Sequence, residues 1–281
     1  MSEAREVTAK PYNYLVETCL LSHGLRAVPD EDIYDAFSRT GAHFAWIQRG
    51  KICLGDTDAF LKFRAKRVEL RANRENLDIY CREEADAALT ASGVMEICIR
   101  NGIDMAVTCG MGGIDISDNK RISSDLRALR DLPVALLATS VKDVLDIPQS
   151  MKWLRNHDVK ILGHGTERCS GYVLKSCCEQ LDGTFGSGEF PAIREEIIRL
   201  GRGTLLLNPI EDGKRIEDNG ILRSAIDAGK AAACRGEYFH PAANARLDEL
   251  SKSRTSYLQL ESLKENVLLA DKMTCEESGR K

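Results

Sequence analysis

The feature that most restricts how this chain can fold is the alternation of short apolar runs with longer amphipathic stretches. Five runs have the length of buried strands and end in small or turn-forming residues. They are 14–21 (YLVETCLL), 104–110 (DMAVTCG), 133–140 (PVALLATS), 159–163 (VKILG) and 203–209 (GTLLLNP). Helical spacing of apolar residues occurs in 83–100, in 142–156 and from about residue 219 onward. Alternating strands and helices predict an α/β fold, with three α/β/α layers and a mostly parallel central sheet.

Length and charge restrict the class of protein further. The 281 residues, 43% of them hydrophobic, suffice for one large core, so we expect residues 1–281 to form a single domain. The net charge is −4 with both signs interspersed, which argues against a nucleic-acid partner. The chain has no run of eighteen apolar residues, and its first residues lack the apolar segment of a secretory signal. We therefore expect a cytoplasmic protein with no membrane partner.

Ten cysteines raise the question of disulfides or a metal site. No two of them have CxxC spacing, and most lie singly in apolar segments. Without an export signal, reduced thiols with structural roles are the expectation. The adjacent pair Cys177 and Cys178 is the exception that merits attention.

Two segments follow predicted strands at the place where α/β sheets carry their active sites, namely 108–114 (TCGMGGI) and 138–146 (ATSVKDVLD). The glycines of the first could hold an anion with backbone N–H groups, or simply form a turn. The loop matches neither the dinucleotide-binding nor the P-loop motif. His23 and His164 also follow predicted strands, where each could line a site or be structural.

Lys142 is the best candidate nucleophile in the second segment. Ser140 and Asp143 have the spacing of a helix N-cap, which would place Lys142 in a first helical turn. The partial positive charge of a helix start and apolar neighbours both lower the pKa of a lysine, and a neutral amine can form a Schiff base with a sugar. The alternative is an ordinary exposed lysine, which is the more frequent case.

Glu17 is a carboxylate inside an otherwise apolar predicted strand. A buried, unpaired carboxylate is costly, so Glu17 must face solvent, a partner or a cavity. In a cavity its pKa would rise, which suits a general acid. From the residues alone, a solvent-facing position is equally plausible.

Taken together, the motifs resemble the pseudouridine-5′-phosphate glycosidase family. VETCLLSHGL (16–25) resembles a family segment that reads V-E-S-T-I-I-S-H-G-L, and AHFAWIQRGKICLG (42–55) resembles the stretch that follows it. CGMGGI, ISSDL and LPVALLATSVKDVLDI continue the pattern, and LGHGT and LLLNPI complete it. The order and spacing of these motifs extend over roughly residues 14–270.

The resemblance implies a carbon–glycoside lyase that acts on a ribose 5-phosphate derivative through a lysine Schiff base. It assigns Lys142 as the nucleophile and Glu17 as the general acid. The implied substrate contacts are Arg71, Ala91, Ser123, Ser124 and Asp125. A homotrimer and a bound manganese ion are also family properties.

Three positions depart from the family pattern. Arg121 stands where the family has a metal-binding aspartate, so no cofactor is expected here. The loop GGIDISDNK lacks the family's His-Arg pair, and Glu265 replaces the first residue of an Asn-Asn pair that contacts phosphate. Substrate recognition is therefore expected to differ, and three readings stay open: a lyase, a C-glycoside synthase of natural-product biosynthesis, and a non-catalytic binding relative. The base, the phosphorylation of the sugar and the reaction direction are undetermined by the sequence.

Overall fold

A computed structural model of the protein describes residues 12–116, 118–236 and 239–278. The expectation that no secretory signal is present concerns residues 1–11, which lie outside the described residues. Within the described helices, none is long and apolar enough to cross a membrane.

The strands are short, mostly two to five residues. In chain order they are β1 (Leu15–Val16), β2 (Phe44–Gln48), β3 (Lys51–Gly55), β4 (Leu70–Ala72), β5 (Ala87–Leu89), β6 (Met105–Val107), β7 (Gly110–Met111), β8 (Ala135–Ala138), β9 (Ser140–Val141), β10 (Ile161–His164), β11 (Arg168–Cys169), β12 (Glu179–Gln180), β13 (Gly183–Phe185) and β14 (Thr204–Leu207).

The helices follow the same order. They are α1 (Asp30–Phe37), α2 (Thr57–Arg64), α3 (Leu77–Arg82), α4 (Ala91–Arg100), α5 (Ser124–Asp131), α6 (Ile147–Asn156), α7 (Phe190–Leu200), α8 (Asn219–Cys234), α9 (Phe239–Leu250) and α10 (Arg254–Ser278). A π-helical turn at Leu20–Gly24 and two 3₁₀ turns complete the described elements.

The central sheet has ten strands in the order β13-β10-β14-β8-β6-β1-β2-β5-β4, and β3 pairs with β2 at its side. All pairs from β13 to β2 are parallel, and the β2 pairs with β3 and β5 are antiparallel. The inner strands are buried throughout, as expected for a parallel sheet covered by helices on both faces. The predicted α/β class with a mostly parallel sheet is confirmed.

Two predicted helices begin later than their apolar spacing indicated. The segment 83–100 contains strand β5 before α4 begins at Ala91, because the Ala-Ala-Leu of β5 pairs with β2 and β4. Tertiary pairing here overrides the helical preference of alanine. The second, α6, begins at Ile147, because the Asp146 side chain caps it and Pro148 favours a first turn.

The first predicted strand, 14–21, is also shorter than expected. β1 ends at Val16 because Thr18 turns its hydroxyl to the Ala45 carbonyl (2.8 Å) and receives the Leu89 N–H (2.9 Å). A π-helical turn follows at once. Glu17 is therefore the residue after the strand and not a residue within it.

The C-terminal region is helical as predicted, and α10 lies against β6 and β8. Asn266 of α10 is fully buried and donates to the Thr108 carbonyl (2.8 Å) and to the Thr139 hydroxyl (3.1 Å). It therefore ties together the ends of two central strands, immediately beneath the candidate site.

Candidate active site

A cavity of about 500 Å³ opens where the central strands end. Glu17 and Thr108 follow the adjacent parallel strands β1 and β6, and Lys142 follows β9. This is the edge at which α/β sheets bind ligands. All the site residues predicted from the sequence line this one cavity: Glu17, Arg71, Ala91, Ser123, Ser124, Asp125 and Lys142.

Glu17 lies at the base of the cavity and is only 4% exposed. Its carboxylate accepts the Leu20 N–H at 3.1 Å, and the Thr108 hydroxyl donates to it at 3.3 Å. The first of these bonds depends on the π-helical turn, which brings the Leu20 amide back over the carboxylate. Of the three positions left open by the sequence, the structure places Glu17 in the cavity.

Burial raises the pKa of Glu17 to about 7. The positive charge of Lys142 and the Leu20 N–H oppose this shift, whereas the charge of Asp125 adds to it. Desolvation dominates because the carboxylate lies almost entirely out of water. Glu17 can consequently hold or release a proton near neutral pH, which is what a general acid requires.

Lys142 enters the cavity from a position different from the one its sequence context indicated. It follows β9, its backbone N–H donates to the Met111 carbonyl (3.1 Å), and α6 begins only at Ile147. The prediction that Ser140 caps a helix whose first turn contains Lys142 is wrong, because Ser140 pairs with Gly110 in the β7–β9 ladder. Lys142 is therefore not part of the first turn of α6.

The space around the aliphatic part of the Lys142 side chain is narrow, and only a residue without a side chain fits at position 110. A Cβ at Gly110 would come within 2.6 Å of the Tyr172 ring and 2.9 Å of Lys142 Cγ. Tyr172 itself is buried, and its hydroxyl donates to Gln259 on α10. The side chain of Lys142 is thus confined between this ring and the loop after β6.

Asp125 is held in place by two backbone groups. Its carboxylate accepts the Ser92 N–H (2.9 Å) and the Gly112 N–H (2.8 Å). The Gly112 N–H therefore donates to Asp125. It is not free to bind a substrate anion, as the sequence had suggested for the glycines of this loop. Ser123 caps α5 through its hydroxyl, and the Ser124 hydroxyl accepts from Arg127 (3.4 Å).

The remaining predicted contacts lie at the other side of the cavity. Ala91 is the first residue of α4, a helix that begins at the cavity and is capped by the Thr90 hydroxyl. Arg71, on β4, is exposed and also lines the cavity. The starts of α4 and α5 and the guanidinium of Arg71 together make this side suited to an anionic group.

Asp143, next to the lysine, has a structural role. It is buried and accepts the backbone N–H groups of residues 172–174 (2.8–2.9 Å) and the Ser176 hydroxyl (2.5 Å). Burial raises the pKa of Asp143, and these hydrogen bonds oppose the shift. The carboxylate consequently fastens segment 170–176 to the loop that carries Lys142.

Several lining residues were missed by the sequence reasoning. Thr108 carries no motif of its own, and Asn244, Asp248 and Gln259 come from helices α9 and α10, more than a hundred residues after Lys142. His23 lines the cavity, and burial lowers its pKa to about 4, so this imidazole is neutral. His164 contacts Asn208 instead and is not a lining residue.

The residues at the family's metal position do not fit a divalent cation. Arg121 is 70% exposed and lies 3.8 Å from Asp115, with which it forms an ion pair. Arg121 precedes α5, and the Asp125 carboxylate accepts backbone N–H groups, so the ion-pair partner of Arg121 is Asp115 and not Asp125. In the described part of the chain, no group of three or more His, Cys, Asp or Glu side chains could hold a metal ion.

The C-terminal departure from the family pattern lies away from the cavity. Glu265 is exposed, its neighbour Asn266 is buried beneath the strand ends, and neither is a lining residue. The replacement of an amide by Glu265 therefore does not place a carboxylate inside this cavity. The loop 112–120 includes Ser117, which lies outside the described residues.

Comparison with known proteins supports the resemblance. The pseudouridine-5′-phosphate glycosidases of Legionella pneumophila and Alkaliphilus metalliredigens are 25% and 27% identical to this chain. The alignment with the Legionella protein covers 90% of this chain and 87% of that protein, and the alignment with the Alkaliphilus protein covers 84% and 79%.

Two solved structures share the fold. An indigoidine synthase A-like protein from Thermotoga maritima has a TM-score of 0.82 and 22% identity, over 95% of this chain and 94% of its own. The prealnumycin C-glycosynthase AlnA, solved in complex with ribulose 5-phosphate, has a TM-score of 0.77 and 17% identity, over 95% of this chain and 93% of its own. Residues 16–276 match the model of the family described as indigoidine synthase A like protein. The chain belongs to the indigoidine synthase A-like family.

Proposed function

We propose that this protein is an enzyme that cleaves or forms the C-glycosidic bond between a ribose, as its 5-phosphate, and a base, through a Schiff base on Lys142. The observation that carries the proposal is a buried carboxylate with a pKa of about 7, Glu17, in one cavity with a lysine. Relatives named pseudouridine-5′-phosphate glycosidase, aligned over most of the chain, support the reaction class.

In the cleavage direction, the neutral Lys142 amine attacks C1′ of the sugar and the bond from C1′ to the ring oxygen breaks. Protonated Glu17 gives its proton to that oxygen and then takes up the proton that the attacking nitrogen loses. The nitrogen lone pair next forms an iminium as the bond from C1′ to the base breaks, and Glu17 gives its proton to the base carbon. Water hydrolyses the iminium, which releases the sugar and restores the amine.

The substrate would lie across the cavity with its sugar at Glu17 and Lys142. We assign its anionic group to Arg71 and to the helix starts at Ala91 and at Ser123 and Ser124. Asp125, fixed by two backbone amides, would accept from a sugar hydroxyl. We propose that these steps need no metal; the support is the Arg121–Asp115 ion pair at the family's metal position and the lack of a metal-binding group among the described residues.

The first test is reductive trapping. Protein incubated with ribose 5-phosphate and borohydride should gain the mass of one reduced adduct, on the peptide that contains Lys142. The C-glycosynthase of the same fold was solved with a five-carbon sugar phosphate, which makes this class of sugar the first probe. Lys142→Ala should give no adduct, whereas the matched change Lys51→Ala, at an exposed lysine outside the cavity, should leave it unchanged. An adduct that persists in Lys142→Ala would overturn the assignment.

The synthetic direction is the second candidate, and the steps above apply in reverse. Its support is the shared fold of a C-glycosynthase. Incubation of the protein with ribose 5-phosphate and uracil, and separately with pseudouridine 5′-phosphate, measures both directions. A protein that binds these compounds but converts none of them would be a non-catalytic relative.

We further propose a homotrimer located in the cytoplasm, without nucleic-acid or membrane partners. The support for the trimer is family resemblance. Light scattering at micromolar concentration should give about three times the mass of one 31.1 kDa chain, and a monomeric mass would contradict the proposal.

A further inference from the structure

Cys169 and Cys177 are two thiols that the proposed chemistry does not use, and they lie close together next to the strand that precedes Lys142. Cys169, on β11, is fully buried, and Cys177 is half-buried. The Cys177 sulfur lies 3.5 Å from the Cys169 carbonyl oxygen. Cys178, the next residue, is exposed and is not part of this contact. The pair is thus formed across a turn and not by the two adjacent cysteines.

The backbone holds these two residues as neighbours. The N–H groups of Ser176 and Cys177 both donate to the Ser170 carbonyl, at 3.0 and 3.3 Å. β11 and β12 are antiparallel, with Cys169 opposite Glu179, so the chain returns past Cys169 two residues after Cys177. These contacts keep the two backbones close together, which is what a disulfide between them requires.

The surroundings of Cys169 favour its thiolate. The Cys177 thiol, the Ser140 hydroxyl at 3.3 Å and the charge of buried Arg215 lower the pKa of Cys169 below that of a free thiol, against the effect of burial. The thiolate is the reactive form of cysteine in oxidation and exchange. Cys177, which is closer to solvent, provides the partner sulfur.

We propose that Cys169 and Cys177 are a redox modification site, which a peroxide converts into an intramolecular disulfide. One thiolate attacks an oxygen of hydrogen peroxide and the O–O bond breaks. This oxygen stays on the sulfur as a sulfenic acid, and the other leaves as hydroxide. The second thiol attacks the sulfenic sulfur, the S–S bond forms, and water departs. Overall, two thiols lose two electrons and two protons, and one peroxide becomes two molecules of water. A dithiol reductant reverses the step.

The modification would reach the active site through two contacts. Ser140, in contact with the Cys169 sulfur, is two residues before Lys142. Segment 170–176, which a Cys169–Cys177 disulfide would close into a ring, supplies the hydrogen bonds that fasten Asp143. A disulfide therefore displaces the loop that carries the lysine. This effect on turnover rests on the proposed function, whereas formation of the disulfide does not.

Trypsin makes the cross-link easy to identify. It cleaves after Arg168 and after Lys175, so a bond between Cys169 and Cys177 joins two peptides, and a bond between Cys177 and Cys178 stays within one. Full-length protein is treated with hydrogen peroxide, its free thiols are alkylated, and the digest is analysed by mass spectrometry. The joined peptides are expected in the native protein and in Cys178→Ser, and in neither Cys169→Ser nor Cys177→Ser. A link confined to Cys177 and Cys178, or sulfonic acid without a link, would overturn the proposal.

Turnover is the second readout. Because a displacement of about 1 Å can cost a reaction up to about a hundredfold in rate, oxidised Cys178→Ser should lose roughly tenfold or more and recover with dithiothreitol. Cys177→Ser treated in the same way should keep its rate. A complete cross-link with unchanged turnover would refute the coupling to Lys142 and leave the modification itself intact.

Discussion

Glu17→Gln is the substitution that tests the electrostatics of the site most directly. The amide has the shape of the carboxyl group, and its oxygen can still accept from Leu20 and Thr108. It has no ionised form, so the variant lacks the charge that burial penalises. The comparison with the native protein therefore isolates the titration of one buried group.

The magnitude follows from the shift of the pKa from 4.5 to about 7. Because the folded-state pKa is raised, the folded protein binds more protons than the unfolded chain between these two values. The stabilisation from protonated Glu17 is fully present below pH 4.5 and is lost as the pH rises through 7. At about 1.4 kcal/mol per pKa unit, the native protein should lose roughly 2–3 kcal/mol of unfolding free energy between pH 5 and pH 8, relative to Glu17→Gln.

The assay is urea unfolding of both proteins at several pH values, with the difference between them as the measured quantity. Titrating groups remote from the cavity cancel in this difference. Glu265→Gln, at an exposed carboxylate outside the cavity, is the matched control and should give a difference that does not change with pH. If the Glu17→Gln difference is equally flat, the carboxylate titrates as in water and the argument for a buried general acid fails.

The remaining predictions concern the lysine, its neighbouring glycine and metal. Lys142→Ala and Lys142→Arg should both abolish turnover with unchanged circular dichroism, since a guanidinium cannot supply a neutral amine; measurable activity in either would refute the Schiff base. Gly110→Ala should destabilise by about 1–3 kcal/mol in urea unfolding, because its Cβ meets the Tyr172 ring, and Gly213→Ala, whose Cβ meets nothing, should not; equal effects would disprove the steric argument. Activity should survive a chelator, because Arg121 occupies the metal position, and loss of activity that manganese restores would show otherwise.

The sheet and the location of the site were accessible from the sequence for a physical reason. Parallel strands buried on both faces must be apolar along their length, so apolar runs such as 133–140 and 203–209 can be recognised in the sequence as strands. Their carboxyl ends share one edge, which makes the residue after each strand a candidate. Lys142 could be found by this rule, whereas Glu17 was found as a carboxylate within a predicted apolar strand, and the structure places both in one cavity.

The local conformation around these residues could not be found in the same way. Three short strands, β5, β7 and β9, owe their form to partners remote in sequence, and alanine or serine in them carries no strand signal of its own. The spacing of Ser140 and Asp143 is that of a helix cap, yet the Ser140 backbone pairs with Gly110 in a short parallel ladder. The lining residues of α9 and α10, such as Asn244 and Gln259, reach the cavity through tertiary packing alone.

The arrangement of carboxylates explains why Glu17 differs from its neighbours. Asp143 accepts four hydrogen bonds and Asp125 accepts two backbone N–H groups, so each is committed to holding a loop. Glu17 accepts one backbone N–H and one hydroxyl at longer distances while lying equally deep. A buried carboxylate with few donors keeps much of its desolvation penalty and can release it by taking up a proton. Among these three carboxylates, Glu17 has the longest hydrogen bonds and is therefore the one best suited to the proton transfer that we propose.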